Sequence, residues 1–377
     1  MSSTPRRPRN TEQPRRSQVM GDRTPAATTP QGKVYVLMVE STSAATSRRA
    51  TEILSSVRKM CDPVLREAVS SLPEPLCLMG GYHLGWWDAE GTATPQPGGK
   101  ALRPALTVCA AAACGAIPRV ALAAAAAVEL VHNFTLLHDD IMDVDQVRRG
   151  RPAVWTIWGV PDAMLLGDAL HALAARVLVT GLPGRTATAA VARLESAVIE
   201  MCQGQQKDCQ FRSGAQVDVE EYARMAMGKT GALMGCACAL GALCAQADLS
   251  TVSAMDTFGR ELGMAFQFVD DLIGIWGDPK VTGKPTNDLA RHTMSLPVVT
   301  ALGSGTAAAA ELATMYGRDP DSMDIARATA LVESAGGREC TQQLADRRVR
   351  AAIAALADPA AAADLMVLAG LVARRNH

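Results

Sequence analysis

One stretch limits the possible folds more than any other. From Ala124 to Asp143 the chain reads AAAAVELVHNFTLLHDDIMD, without proline or glycine and with apolar residues at three- and four-residue spacing. That period belongs to an α-helix of about five turns, apolar enough to lie in a core. It ends in Asp139, Asp140 and Asp143, and the next residues add Asp145, Arg148, Arg149 and Arg151. Positions three and four apart share a helix face, so the three carboxylates converge. Like charges so placed repel, and a cation is needed to offset them. Hard divalent ions suit carboxylate oxygens, and magnesium keeps several waters and shares its remaining positions with substrate phosphates.

The same construction recurs. FQFVDDLIGIWGDP, residues 266–279, drives another apolar helix into Asp270 and Asp271, with Gln267 three and four residues earlier on the same face. Two such junctions facing one another across a cavity would bracket a polyanion through bridging metals. Around them stand Lys100 and Arg103 in GGKALRP, Arg148 and Arg149 in VRRG, Lys229 in GKTG and Lys284 in TGKP. Each alone reads as a solvated charge, and as a set beside glycines they read as a phosphate-binding rim.

The rest of the chain offers no competing architecture. Pro and Gly cluster at intervals from Pro95 to Gly305, and the segments between them carry helical spacing. VYVLMV, residues 34–39, is the one stretch that departs from it. The expected fold is an all-α domain of ten or more helices over residues 46–377, preceded by a disordered, basic tail rich in Pro, Arg, Ser and Thr over residues 1–45. A net charge of −1 gives no push toward nucleic acid. Ten cysteines without a CxxC pair or a preceding secretion signal point to a reduced cytoplasm. No transmembrane segment is expected, because the most apolar run, near Ala121 to Val131, is short, contains Glu129 and meets His132.

Six segments, in order, carry a resemblance: GGKALRP, VELVHNFTLLHDDIMDVDQVRRGRPAVW, LLGDAL, CQGQQKD, EEYARMAMGKTGAL and FQFVDDLIGIWGDPKVTGKP. With them the chain resembles the trans-isoprenyl diphosphate synthases, the polyprenyl synthetase family, over roughly residues 50 to 375. The resemblance implies an isoprenoid synthase-type helical bundle around a deep central cavity, usually a homodimer. It implies an enzyme that condenses isopentenyl diphosphate with an allylic diphosphate. Asp139, Asp140, Asp143, Asp270 and Asp271 would hold three magnesium ions on the allylic diphosphate, which Arg148, Lys229 and Lys284 would also grip. Lys100, Arg103, His132 and Arg149 correspond to the isopentenyl diphosphate site. Thr230 and Gln267 match positions near the reacting carbons.

The chain departs from its relatives in two places. The fifth position of the second motif is Gly274 where many have aspartate, and Thr293 stands where a lysine is common, leaving Arg291 or His292 to replace that cation. Phe134, five residues before Asp139, with the smaller Thr135 next to it, resembles the chain-length ruler of geranylgeranyl (C20) synthases, whereas two aromatics there would suggest a farnesyl (C15) product. A class I terpene synthase, which cyclises its substrate without isopentenyl diphosphate, is the alternative of another class. Lys100, Arg103, His132 and Arg149 have little purpose in such a cyclase. A catalytically silent subunit would be expected to lose aspartates, and both leading pairs are intact.

Overall fold

A computed structural model describes residues 44–94, 99–212, 217–278, 286–319 and 322–374. Lys284, the VYVLMV stretch and the expected tail as far as residue 43 lie outside the described residues. Fifteen α-helices run through the described residues: α1 Ala44–Ser70, α2 Leu76–Leu84, α3 Leu102–Ala113, α4 Leu122–Met142, α5 Val154–Trp158, α6 Val160–Gly181, α7 Gly184–Arg212 and α8 Val219–Ala226, then α9 Ala232–Cys244, α10 Leu249–Trp276, α11 Leu296–Leu302, α12 Ala307–Tyr316, α13 Ile325–Ser334, α14 Gly337–Ala355 and α15 Ala363–Ala373. The all-α expectation holds.

The helix that opened the sequence argument is α4, and it is central because it is slim. Ala124 to Val128, more than a full turn, are 0% exposed, and these small side chains let α1, α3 and α6 approach from different sides. Helix α10 is the corresponding member of the other half, packed on α9 and α14. Between the halves lies α9, ALMGCACALGALC, buried from Ala232 to Ala242. Its small residues serve close packing: a Cβ on Gly241 would run into the Thr107 carbonyl of α3. The two acidic helix ends are thus carried by two long helices held through one small-residue spacer.

Two elements differ from expectation. Val147–Arg148 (β1) and Arg151–Pro152 (β2) pair as an antiparallel hairpin immediately after α4. Its turn is Arg149–Gly150, both with positive φ (54° and 75°), as a tight two-residue turn that follows strand twist requires. Further, three stretches, Pro118–Met142, Val160–Gly181 and Val219–Cys244, are long and apolar enough to cross a bilayer, which corrects the expectation that none is. The run near Ala121 to Val131 contains Glu129 and meets His132, but the apolar helix continues past both through Leu136, Leu137 and Ile141. In the fold, 61%, 44% and 83% of their apolar windows are buried within the protein, so packing accounts for much of their hydrophobicity.

Candidate active site

The acidic end of α4 is electrostatically unfavourable on its own. Asp139 and Asp140 fill the last turn and Asp143 is the C-cap, where the helix dipole already places partial negative charge. Cations from two other segments come to it. Arg148, on the hairpin, donates from Nε to Asp140 Oδ1 at 2.7 Å and again from Nη2. Arg212, at the end of α7, pairs with Asp143 and, at 2.6 Å, with Asp208. Burial raises the Asp140 carboxyl above the usual range, against the pull of Arg148. Burial likewise pushes Asp139 up to about 6, with Lys229 opposing and Asp143 adding to the rise.

Lys229 and Thr230 sit in a π-helical turn, Met227–Gly231, between α8 and α9, the kind of local irregularity frequent at functional sites. Helix α7 comes so close there that a Cβ on Gly204 would run into the Lys229 backbone. Lys229 Nζ donates to Asp208 Oδ2 at 2.7 Å. Burial works against its charge, but Asp208 and then Asp139 outweigh burial and hold the ammonium above its ordinary pKa.

From Thr230 a directed chain of hydrogen bonds runs to the second motif. Thr230 Oγ1 donates to Gln267 Oε1 at 2.8 Å, and Gln267 Nε2 donates to Asp271 Oδ1 at 3.0 Å. Asp271 Oδ2 accepts from the Tyr222 hydroxyl and, at 2.9 Å, from the Leu296 amide. Asp271 is 5% exposed, and burial pushes its carboxyl up to about 7 despite these donors. Both of its oxygens therefore accept hydrogen bonds from protein groups. Asp270, one residue earlier on α10, is half-buried. At Gly274 a Cβ would run into the Asp288 carboxylate, so the space of a fifth-position side chain is taken by Asp288.

Lys100, Arg103 and His132 come together as expected, lining a cavity of about 160 Å³ with Gly99, Glu129 and Phe266. Arg103 Nη1 lies 3.2 Å from His132 Nε2. Burial, then Arg103 and Arg149, keep the His132 pKa far below its usual value, so the imidazole is neutral. Arg149 stands beside this group, on the far side of Gly99. It lines a second cavity of about 300 Å³ that shares Gly99 and Glu129 with the first. Its guanidinium donates to the His83 carbonyl and to Asn133 Oδ1, each at 3.3 Å. Phe134 stacks on His171 of α6 with centroids 5.3 Å apart, and His171 Nε2 is 2.8 Å from Glu195 Oε2 on α7.

A hard divalent cation fits the acidic end of α4. Asp140 Oδ2 is buried without a protein partner, between two further carboxylates in sequence. Among the described residues no three His, Cys, Asp or Glu side chains stand together so as to hold a metal ion by themselves, so an ion here would need further ligands from water or phosphate oxygens. Sequence reasoning missed Asp208, Arg212 and Tyr222. Asp208 lies in the CQGQQKD segment, and its four-residue spacing to Arg212 was the available signal.

Residues 86–332 match the family model described as Polyprenyl synthetase. The chain belongs to the polyprenyl synthetase family. It is therefore a trans-isoprenyl diphosphate synthase with the all-α isoprenoid synthase fold. It is 55% identical over 86% of its length, and 93% of the relative's, to a geranylgeranyl diphosphate synthase of Mycobacterium tuberculosis. It is 40% identical, over 84% of its length and 89% of the relative's, to a (2E,6E)-farnesyl diphosphate synthase of Mycobacterium bovis. The crystal structure of a polyprenyl synthetase from Streptomyces coelicolor A3(2) superposes with a TM-score of 0.80 at 42% identity, covering 86% of this chain and 99% of that one.

Proposed function

We propose that this polyprenyl synthetase condenses isopentenyl diphosphate with an allylic diphosphate, head to tail, and stops at geranylgeranyl diphosphate. What carries the reading is the pairing of two sites in one bundle: an acidic helix end ringed by Arg148, Arg212 and Lys229, and a separate cavity holding Lys100, Arg103 and a neutral His132. A terpene cyclase needs the first and not the second. The product length is supported by the 55% identical relative and by Phe134, whose stack on His171 closes the gap between α4 and α6.

Asp139, Asp140 and Asp143 on α4 and Asp270 on α10 would hold magnesium, three ions by the family pattern. Bound there, magnesium supplies positive charge to the departing diphosphate. Arg148 and Lys229 sit beside the acidic cluster and grip the allylic diphosphate, with Lys284 a further proposed contact. Lys100, Arg103 and Arg149 hold the isopentenyl diphosphate, and the neutral His132 offers it a hydrogen bond without adding charge. Thr230 directs its hydroxyl hydrogen at Gln267, so its oxygen lone pairs are left to face positive charge developing on the allylic carbon. Asp271 acts by orienting Gln267. The departing pyrophosphate takes the proton lost from the adduct. Apolar walls exclude the water that would otherwise quench the cation.

We further propose a cytoplasmic homodimer. Ten free cysteines fit a reducing compartment. Met164, Leu165 and Val179 on α6 and Ile199 on α7 are exposed apolar side chains suited to a partner copy. In this reading the apolar helices form the core and an interface, and do not span a membrane. Pyrophosphate release measured with each substrate alone and with both tests the reaction. Release only with magnesium and both substrates is expected, and release from an allylic diphosphate alone would instead favour the cyclase.

A further inference from the structure

The turn that ends the first acidic helix is strained, and a side chain from the other half of the bundle holds it. Val144, directly after Asp143, has φ of 56°, the left-handed region that a β-branched residue rarely enters. It is 64% exposed, so core packing does not offset the strain. The turn is closed on itself by the Asp145 amide, which donates to the Asp140 carbonyl at 2.8 Å. Arg291 then brackets it. Its Nη2 donates to the Asp143 carbonyl at 2.9 Å and its Nη1 to Asp145 Oδ1 at 2.8 Å, one bond on either side of Val144.

The segment that presents Arg291 is itself well fastened. Leu289 is 2% exposed and packs among residues of α11, α12 and α13. His292 stacks on Tyr316 with centroids 4.8 Å apart, and the Thr293 amide donates to the Asp288 carbonyl at 2.8 Å. Asp288 lies against Gly274 of α10, one turn beyond Asp270. Of the two residues before Thr293, His292 is thus committed to Tyr316, and Arg291 is the one that reaches the first acidic motif.

We infer that Arg291 is a positioning residue that fixes the turn after the first acidic motif, and with it Asp143, relative to the helix bearing Asp270. The inference rests on the proposed reading that both acidic helix ends serve one metal-bound diphosphate. Only a guanidinium can do this: it places two N–H groups in a rigid fork, whereas a lysine ammonium is a point donor.

The test is a thermal-shift titration of the purified full chain with magnesium in the presence of inorganic pyrophosphate. Arg291→Ala and Arg291→Lys should each raise the magnesium concentration for half of the maximal shift by about tenfold, the loss of one charge-assisted fork. Val144→Gly removes the strain at its source. Added to Arg291→Ala it should return the titration to within about twofold of wild type, glycine being at ease with positive φ. A wild-type titration in Arg291→Ala overturns the inference, as does a defect that Val144→Gly leaves unchanged. A wild type whose stability ignores magnesium and pyrophosphate would sink the underlying reading, and the inference with it.

Discussion

The substitution Asp271→Asn should reverse a dipole beside the reacting carbons. In the wild type, at a pH above about 7 where Asp271 is ionised, the carboxylate can only accept, so Gln267 must turn its amide nitrogen toward Asp271 and its oxygen toward Thr230. An asparagine side chain at this position would keep its oxygen for the Tyr222 hydroxyl and the Leu296 amide, placing its NH₂ where Oδ1 was. Gln267 must then flip, Thr230 becomes the acceptor, and its hydroxyl hydrogen is freed toward the developing cation. Loss of a preorganised dipole of this kind costs catalysis about a hundredfold or more when it faces the full charge. Thr230 is one contributor beside cations and metals, so a tenfold to hundredfold fall is expected, about 1.4–2.7 kcal/mol. The assay is single-turnover pyrophosphate release, which separates chemistry from product release. The fall should appear in the rate constant while the magnesium requirement stays put. Gln267→Glu in the same chain exchanges amide and carboxylate, restores the direction of the Thr230 bond, and should recover most of the rate. A double variant no faster than Asp271→Asn would refute this account of the network. A shifted magnesium requirement with the rate intact would make Asp271 a metal ligand after all.

Other outcomes follow from the same geometry. His132 is held neutral, so its folded pKa lies below its unfolded value near 6.5; the unfolded chain binds the extra proton, and this stability is present above that pH and lost below it. The difference in melting temperature between wild type and His132→Gln should therefore shrink as pH falls from 7.5 to 5.5, and a constant difference would contradict the burial of a neutral ring. Gly204→Ala pushes a methyl into the Lys229 backbone and should destabilise by about 1–3 kcal/mol with a loss of turnover, read by denaturant unfolding and steady-state kinetics. Phe134→Ala opens the stack on His171 and should give alcohols longer than C20 after dephosphorylation; an unchanged product mass would remove Phe134 from length control.

Much of the scaffold was legible because helical period and punctuation survive in a single chain. Both acidic helices could be read that way, and spacing alone put Asp139 and Asp140 each within about one turn of Asp143. The hairpin was not legible: strands of two residues are too short to show alternation, and its positive-φ positions are filled by Arg149 and Gly150 in place of a typical Asn-Gly. The partners of the aspartates were hidden by distance along the chain. Arg212 meets Asp143 across 69 positions, and Arg291 meets Asp145 across 146. Asp270 and Asp271 illustrate a different limit. Adjacent aspartates look alike in sequence, yet on a helix they point about 100° apart. One of them is directed into Tyr222 and Leu296, contacts that tertiary packing creates. A charged letter inside an apolar run looks like an interruption in sequence, yet Glu129 is 8% exposed with its carboxylate 3.3 Å from the Asn133 amide nitrogen, and α4 stays apolar past it.

The most direct test of the central claim is the mass of the dephosphorylated product formed from farnesyl diphosphate and isopentenyl diphosphate with magnesium. A single C20 prenyl alcohol, absent when isopentenyl diphosphate is left out, is the predicted result. A hydrocarbon formed without isopentenyl diphosphate, or no extension of the farnesyl chain at all, would contradict it.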